Sequence, residues 1–553
     1  MSEGNPRDCS GDRLRGATGL RRRREALRGK RFPRWPNRTD VVPAQPERPI
    51  WCSHNDDVVW RTPHCGPRHS AGRAQRRPGR LWKGVRSMSE PVAEGYRKDL
   101  STRHINMIAI GGAIGVGLFL GSGKALNQVG PGLILIYAVA GLMIFFVMRA
   151  LGELLMYRPV SGSFAEYAGE FVGPWARFAT GWGYWLVWIV TGMAEITAVG
   201  EYFQFWFPHV PQWIPALGAL IVLSGVNLIA VKLFGEFEFW FALVKVVAIV
   251  GLIVLAAAIL AFGFSDVGDT AAVSNLWAHG GMFPTGSTQA LLAFQIVMFA
   301  FIGVEMVGQT ASESANPQKV LPRAVNSIMW RILIFYVGAL AALCALVPWN
   351  QFPADGSPFV HAFTLIGIPA AAGVVNFVVT TAALSSCNSG IYSTGRMLRT
   401  LSEDGQAPRA VSKLSSRAVP ARAIAVTFVA MLIGVVLNYF VPEQAFTYIT
   451  SASTVGAIFT WGMILIAHLG YRRKVATGTL PEGTFRMPLA PYSNYVVLAF
   501  LALVVVLLAF DAETRIALYI TPVLALAAFL GYLASRRGRP AAEAAPAVER
   551  TPR

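Results

Sequence analysis

Runs of about twenty predominantly apolar residues recur along this chain from about residue 105 to about residue 534. A run of that length is what an α-helix needs to cross the hydrocarbon core of a bilayer. Only helices and closed barrels can span lipid, because every backbone N–H and C=O must find a partner. Barrel strands are about ten residues long and alternate strictly, whereas these runs are longer and continuous. The pattern therefore predicts an all-α integral membrane protein.

The charge content supports this class. Only 14% of the 553 residues are charged and 54% are hydrophobic, whereas soluble globular chains average about 25% charged residues. The apolar runs leave no room for a large soluble domain. Composition and run length together predict a polytopic membrane protein.

Gly, Pro and charged breaks divide the apolar sequence into twelve predicted spans. The first six lie near residues 105–126, 131–156, 173–200, 213–231, 237–263 and 288–310. The second six lie near residues 327–347, 365–400, 423–441, 445–470, 492–510 and 516–534.

The placement of Lys and Arg predicts the orientation of these spans. The chain has no Lys or Arg between Arg177 and Lys232, a stretch that contains the connection between spans 3 and 4. The connections 5–6, 7–8 and 9–10 are equally free of basic residues, while the even-numbered connections are rich in them. Basic loops stay on the cytoplasmic side. We therefore expect both termini in the cytoplasm and an even number of crossings.

The first 87 residues differ from the rest of the chain. They hold 21 Lys and Arg against 8 Asp and Glu, so +13 of the net charge of +18 lies there. The segment shows no helical or strand period and reads as a basic disordered tail, possibly translated upstream sequence before a start at Met88. A basic arm for anionic lipid or nucleic acid is the alternative. The predicted domains are 1–87 (tail), 88–104 (cytoplasmic leader), 105–535 (transporter) and 536–553 (cytoplasmic tail).

Two spans are interrupted by glycine. Span 1 reads IAIGGAIGVGLFLGSG and span 6 reads FAFIGVEMVGQTASE. Close packing of helices through small residues is one interpretation. The other is that both helices unwind near the bilayer midplane, so that freed backbone groups bind a ligand. Two such breaks five spans apart favour unwinding, because an inverted repeat of broken helices leaves this trace.

Eight motifs are distributed along the apolar part of the chain: GGAIGVGLFLGSG (111–123), RALGELL (149–155), SGSFAEYA (161–168), FGEFEFWFALVKV (234–246), GVEMVG (303–308), LPRAVNSI (321–328), ALSSCNSGIYSTGRML (383–398) and AP (407–408). Together they resemble the amino acid–polyamine–organocation superfamily, and within it the bacterial amino-acid transporter family. The resemblance covers residues 95–535. It implies a five-plus-five inverted repeat with broken helices 1 and 6 and two additional C-terminal helices.

The resemblance also implies a substrate site at the midplane, between spans 1, 3, 6 and 8. The residues that correspond to the segment receiving the substrate carboxylate are Gly115, Val116, Gly117 and Leu118. Those corresponding to the segment that offers carbonyls to the amino group are Phe301, Ile302 and Gly303. Phe299 resembles the family's gating aromatic residue.

Lys245 lies inside span 5, with no acid within four residues on its face. A lysine inside the membrane carries a large free-energy cost and is by default a candidate functional residue. Burial disfavours its charged form, which would let it exchange protons. In proton-coupled relatives, a lysine here resembles a replacement for a sodium ion. A fixed structural cation and snorkelling to the cytoplasmic edge remain alternatives.

Other polar residues lie inside the spans. Glu305 follows the break in span 6, and we expect it to take part in proton coupling or in structural pairing. Glu195 in span 3 is expected either to line the pocket or to pair with another span. Ser386 and Asn388 in span 8 are possible pocket-lining residues or interhelical hydrogen-bonding groups.

These features predict a proton-coupled symporter for small neutral amino acids, such as D-alanine, D-serine and glycine, or L-asparagine and proline. An amino-acid exchanger, a permease for GABA or aromatic amino acids, and a channel or nutrient-sensing transceptor are the alternatives. No enzyme motif, CxxC pair or metal-ligand spacing occurs. We therefore expect no enzyme activity, no cofactor beyond the coupling proton, no metal and no nucleic-acid partner. The expected location is the bacterial plasma membrane.

Overall fold

The computed structural model describes residues 114–160, 162–229, 231–264, 267–268, 270–310, 317–353, 356–367 and 369–537. The predicted tail, the leader and the start of span 1, including Gly111 and Gly112, lie outside the described residues.

The described part of the chain is all-helical. Its first nine helices are α1 Val116–Phe119, α2 Gly121–Val129, α3 Leu133–Tyr157, α4 Ser163–Phe171, α5 Pro174–Gln204, α6 Trp213–Ile229, α7 Val231–Phe262, α8 Ser287–Leu292 and α9 Phe294–Phe299. The remaining helices are α10 Met306–Thr310, α11 Pro317–Arg331, α12 Ala339–Leu346, α13 Pro358–Leu365, α14 Pro369–Glu403, α15 Ala421–Phe440, α16 Pro442–Ala476, α17 Tyr492–Leu507 and α18 Ile516–Arg537. A π-helical segment, Ile332–Gly338, joins α11 to α12.

Within the described residues, eight helical stretches are long and apolar enough to cross a membrane. One of them, Val116–Tyr157, contains two predicted spans, and a 3₁₀ turn at Gly130–Gly132 divides it. Three shorter apolar stretches, Trp213–Ile229, Ser287–Phe299 and Tyr492–Leu507, coincide with predicted spans 4, 6 and 11. The count of twelve crossings and the inverted repeat stay predictions.

Helix α7 shows how the spans divide their faces between lipid and protein. Residues seven apart lie on one helix face. Glu238, Lys245, Leu252 and Ile259 follow this spacing, and none of them is more than 1% exposed. On the other side of the helix, Trp240, Val247 and Val254 are 60% to 62% exposed. An apolar exposed face suits lipid contact, so the two charged residues point into the protein.

The connections between spans meet in two groups. Arg177 at the start of α5 forms an ion pair of 2.7 Å with Asp404, which follows α14. Lys474 near the end of α16 lies 5.0 Å from the ring of Phe171 in α4. These contacts bring the even-numbered connections 2–3, 8–9 and 10–11 to one end of the helices.

The odd-numbered connections meet separately. The Gly132 N–H donates to the Met282 carbonyl at 2.5 Å, which joins connection 1–2 to connection 5–6. The Trp349 indole donates to the His279 carbonyl at 2.9 Å, which joins connection 7–8 to the same loop. Grouping alternate connections in this way is what spans that cross in alternating directions require.

Candidate functional site

The described part of span 1 begins at the glycines where the sequence predicts a break. Helix α1 begins after Gly115, which has an extended backbone conformation and caps the helix. The Val116 N–H at this first turn donates to Glu195 Oε2 of α5 at 3.4 Å. Free N–H groups at a helix start attract anions. Here the carboxylate of Glu195 lies where the resemblance implies the carboxylate of a substrate.

Two glycines let other groups approach this break closely. A Cβ atom on Gly115 would lie 2.5 Å from Glu195 Oε1 and 3.0 Å from Ser386 Oγ of α14. A Cβ atom on Gly117 would lie 2.5 Å from the Cα atom of Ala300 in span 6. The absence of side chains at these positions therefore brings spans 1, 3, 6 and 8 together at one point.

The break in span 6 lies between α9 and α10. Gly303 has φ of +106°, a backbone conformation that favours glycine. Its N–H donates to both carboxylate oxygens of Glu305, at 3.3 and 3.1 Å. The Trp461 indole of α16 also donates to Glu305, at 3.3 Å. Glu305 thus binds the interrupted backbone and connects it to a neighbouring helix.

Two tyrosine hydroxyls hold the broken segments. The Tyr137 hydroxyl of α3 donates to the Gly117 carbonyl at 3.4 Å. The Tyr336 hydroxyl, in the π-helical segment, donates to the Ala300 carbonyl at 3.0 Å. The Tyr336 ring also stacks on Phe301, with the ring centres 4.9 Å apart. Neither tyrosine was among the predicted site residues, because helix interruptions in the sequence carry no signal for the partners of their freed carbonyls.

Lys245 is fully buried, which argues against snorkelling. It interacts electrostatically with two buried carboxylates, Glu238 on its own helix and Glu195 on α5. Ser386 hydrogen-bonds to Glu195 from α14. A buried charge needs partners to offset lost hydration, and these residues supply them. Lys245 is therefore part of a cluster rather than a lone charge.

Glu238 was not predicted as a site residue. It lies seven residues before Lys245, and this spacing was a usable signal because it places both side chains on one face. The Ser385 hydroxyl donates to Glu238 Oε1 at 2.7 Å. The Asn227 amide of α6 donates to Asn388 Oδ1 at 2.7 Å, on the same side of α14.

The predicted site residues thus fall into groups. Those at the break in span 1, with the lysine cluster beside it, are Gly115, Val116, Gly117, Leu118, Glu195, Ser386 and Lys245. The span 6 residues are also buried, namely Phe299, Phe301, Ile302 and Gly303. The rings of Phe299 and Phe301 contact different helical segments. The Phe299 ring contacts Phe446 of α16 edge-on, with the centres 6.2 Å apart. Asn388 lies near the carboxylate of Glu238, and Glu305 accepts a hydrogen bond from the Trp461 indole.

A family model described as amino acid permease matches residues 104–544 of the chain. The match spans well over half of the sequence and includes both broken helices. The chain belongs to the amino acid permease family.

Named relatives support this membership. An uncharacterized amino acid permease of Bacillus subtilis is 51% identical over 77% of this chain and 92% of its own length. The D-serine/D-alanine/glycine transporter of Escherichia coli is 46% identical over 82% of this chain and 96% of its own length. The L-asparagine permease of Streptomyces coelicolor is 46% identical over 80% of this chain and 91% of its own length. This amino acid permease is a multi-pass membrane transporter and not an enzyme.

Proposed function

We propose that this amino acid permease takes up small neutral amino acids together with a proton, by alternating access across the plasma membrane. The substrates named for its relatives, D-serine, D-alanine, glycine and L-asparagine, support this size class. The buried residues next to the two breaks include Val116, Leu118 and Ile302. Apolar surroundings of this kind suit a short uncharged side chain better than a charged one.

The contact between Glu195 and Val116 carries the proposal. A substrate carboxylate bound at the start of α1 would need the same Val116 N–H that Glu195 now accepts. Two ionised carboxylates side by side in a buried site repel each other, so one of them must take a proton. Protonation of Glu195 removes the competing charge. Binding of the substrate and binding of a proton therefore favour each other.

Lys245 completes the charge balance. Its ammonium group stabilises ionised Glu195 when the site is empty, because the two groups interact inside a buried cluster. When substrate and proton are bound, the same ammonium group offsets the carboxylate of the substrate. The pair then holds one proton without substrate and two with it. This difference couples one proton to each amino acid.

Glu305 remains a predicted coupling residue, but its contacts favour a positioning role. Both of its carboxylate oxygens accept the Gly303 N–H, and one also accepts the Trp461 indole. These bonds hold the carbonyls of the span 6 break in position for an amino group. Phe299, packed on Phe446, is proposed as the gating aromatic residue above them.

The placement of the basic residues supports the proposed orientation. The basic even-numbered connections meet at one end, which we assign to the cytoplasm. With an even number of crossings, the amino and carboxyl termini both face that side.

Substitution of Lys245 tests the coupling. Reconstituted Lys245→Gln should lose at least tenfold in uptake driven by a proton gradient, because without the ammonium group Glu195 stays protonated in the empty site and no proton is taken up with the substrate. Counterflow exchange of labelled for unlabelled substrate at equal pH should fall much less. Lys245→Arg separates two roles of this residue, because arginine keeps the charge and does not release its proton. Loss of gradient-driven uptake in this variant would mean that Lys245 itself passes the coupled proton on, whereas normal uptake would assign the exchanged proton to Glu195 alone.

Lys319→Gln is the matched control, because Lys319 is exposed in the first turn of α11 and undergoes the same change. It should transport like the unaltered permease. Gradient-driven uptake at the normal level in Lys245→Gln would refute proton coupling through this residue. Normal gradient-driven uptake in Lys245→Arg would make Lys245 a fixed structural cation.

A further inference from the structure

Glu238 has no role in the function proposed so far, although it is fully buried. It lies two helical turns from Lys245 on the inward face of α7, and the two groups interact electrostatically. Side chains on a helix lean toward its N-terminus, so the Lys245 side chain extends toward Glu238. Helix α7 begins at the end of the molecule that we assign to the cytoplasm. Glu238 therefore lies between Lys245 and the cytoplasm.

The surroundings of Glu238 are polar. The Ser385 hydroxyl donates to its Oε1 atom at 2.7 Å, and Ser389 and Asn388 lie close to its carboxylate. A buried carboxylate among polar side chains suits a site through which a proton passes.

A small crevice lies beside this cluster. Its lining includes Asn227, which bonds to Asn388, together with Phe234 and Arg396. The rings of Phe234 and Tyr392 stack with centres 4.0 Å apart. The Arg396 guanidinium lies 3.3 Å from the centre of the Tyr392 ring. Phe234 precedes Glu238 by four residues on α7, so this stack lies about one helical turn nearer the start of the helix than Glu238.

We propose that Glu238 is a proton relay that carries the coupled proton from Lys245 to the cytoplasm when the Phe234–Tyr392–Arg396 stack opens. One N–H bond of the Lys245 ammonium breaks and an O–H bond forms on Glu238. The neutral amine then takes the proton held by Glu195, and Glu238 releases its proton to water in the crevice. One proton moves from Glu195 to the cytoplasm, and every group returns to its starting form. The relay rests on the proposed proton coupling.

Few other ionisable groups compete for this role. The other ionisable residues of α7 itself are Lys232 and Glu236, of which Glu236 is partly exposed, and α6 carries no ionisable side chain. The ionisable side chains on the other elements packed against α7 are Cys387, Tyr392, Arg396, Arg399 and Glu403 on α14, Cys344 on α12 and Tyr336 in the π-helical segment.

Glu238→Gln tests the relay, because a glutamine carbonyl can still accept the Ser385 hydroxyl but the side chain cannot carry the proton. In proteoliposomes the probe is whichever of glycine, D-alanine and L-asparagine gives the strongest counterflow with the unaltered permease. Glu238→Gln should keep counterflow within about twofold. Its gradient-driven accumulation, and the acidification of the lumen followed by a trapped pH dye, should fall at least tenfold. Glu236→Gln is the matched control and should behave like the unaltered permease.

The outcomes separate a relay from a structural role. Normal gradient-driven accumulation by Glu238→Gln would overturn the proposal. Equal losses of counterflow and accumulation would also overturn it, because they indicate damage to the fold. If Glu238→Gln cannot be purified as a folded protein, Glu238→Asp decides. The shorter side chain should slow gradient-driven uptake at least threefold and leave counterflow unchanged, and equal losses again contradict the relay.

The same measurements distinguish this inference from the function on which it rests. If the unaltered permease shows no dependence on the proton gradient, the proposed coupling fails. If the unaltered permease is gradient-driven and Lys245→Gln is not, while Glu238→Gln behaves normally, only the relay fails.

Discussion

Gly117 determines how closely the two broken spans approach each other. A Cβ atom at this position would lie 2.5 Å from the Cα atom and 2.9 Å from the nitrogen of Ala300. Both are backbone atoms, so no side-chain rotation relieves the overlap. The contact between spans 1 and 6 therefore requires glycine, which has no Cβ atom, at position 117.

We predict that Gly117→Ala lowers substrate uptake at least tenfold, because the added methyl group pushes the two breaks apart. Gly121→Ala is the control four residues later. Its Cβ atom would lie 3.6 Å from the nearest side-chain atom, an ordinary contact, and alanine favours a helix over glycine by about 1 kcal/mol. Uptake of labelled amino acid by cells at equal expression compares the two. Equal activity of Gly117→Ala and Gly121→Ala would show that the close contact is dispensable.

The breaks in spans 1 and 6 depend on helices outside them for their shape. The Tyr137 hydroxyl from α3 and the Tyr336 hydroxyl from the π-helical segment bind the Gly117 and Ala300 carbonyls. A π-helical turn is rare and is frequent at functional sites. Here it lies at the position where Tyr336 reaches the break. Both broken segments are thus held by side chains of neighbouring helical segments.

Removal of these two hydroxyl groups should weaken the support of the broken segments, while the buried aromatic rings stay in place. We predict that Tyr336→Phe raises the substrate concentration for half-maximal uptake about threefold to tenfold, because a buried carbonyl left without its donor costs about 1–3 kcal/mol. Tyr137→Phe should have a smaller effect, since its bond is longer. Tyr495→Phe is the control, because Tyr495 is 51% exposed on α17. An unchanged half-maximal concentration in the Tyr137→Phe and Tyr336→Phe double variant would contradict this account.

The positions of most helices could be predicted because a membrane span needs a long apolar run. The run near 173–200 is α5, Pro174–Gln204, and the run near 492–510 is α17, Tyr492–Leu507. Helix α4, Ser163–Phe171, was not predicted, because it is short and not a continuous apolar run. For such a segment tertiary packing outweighs local pattern.

The tertiary partners of the site could be predicted only in part. Glycine interruptions indicated where the helices break. The contact of Glu195 with Val116 joins residues 79 positions apart, and the rotation of α5 that produces it follows from packing across several helices. The position of Glu238 was predictable from its spacing to Lys245, whereas the polar side chains around it depend on the packing of α14 against α7.

At the scale of the whole molecule, transport requires that the two ends of the site open in turn. The described site residues are buried, and contacts among alternate connections are found at both ends. Arg177 pairs with Glu166 of α4 and with Asp404 after α14. At the other end, the Gly132 N–H bonds to the Met282 carbonyl. Each group of contacts has to break in one half of the transport cycle.

The orientation predicts the location of the carboxyl terminus. A green fluorescent protein joined after residue 553 should fluoresce in intact bacterial cells, because it folds in the cytoplasm. Alkaline phosphatase joined at the same place should be inactive, since it needs the periplasm. The control is a pair of fusions in the predicted external connection after residue 280, where the two signals should reverse. An active phosphatase at the carboxyl terminus would show that the orientation is inverted.

The central claim is that amino-acid uptake is driven by protons. The most direct measurement is accumulation of labelled substrate in proteoliposomes, with the outside made acidic and the inside neutral. We predict accumulation above the external concentration that disappears when a protonophore collapses the gradient, while counterflow exchange continues. Accumulation that is unchanged by the protonophore, or exchange without any gradient-driven uptake, would contradict the account.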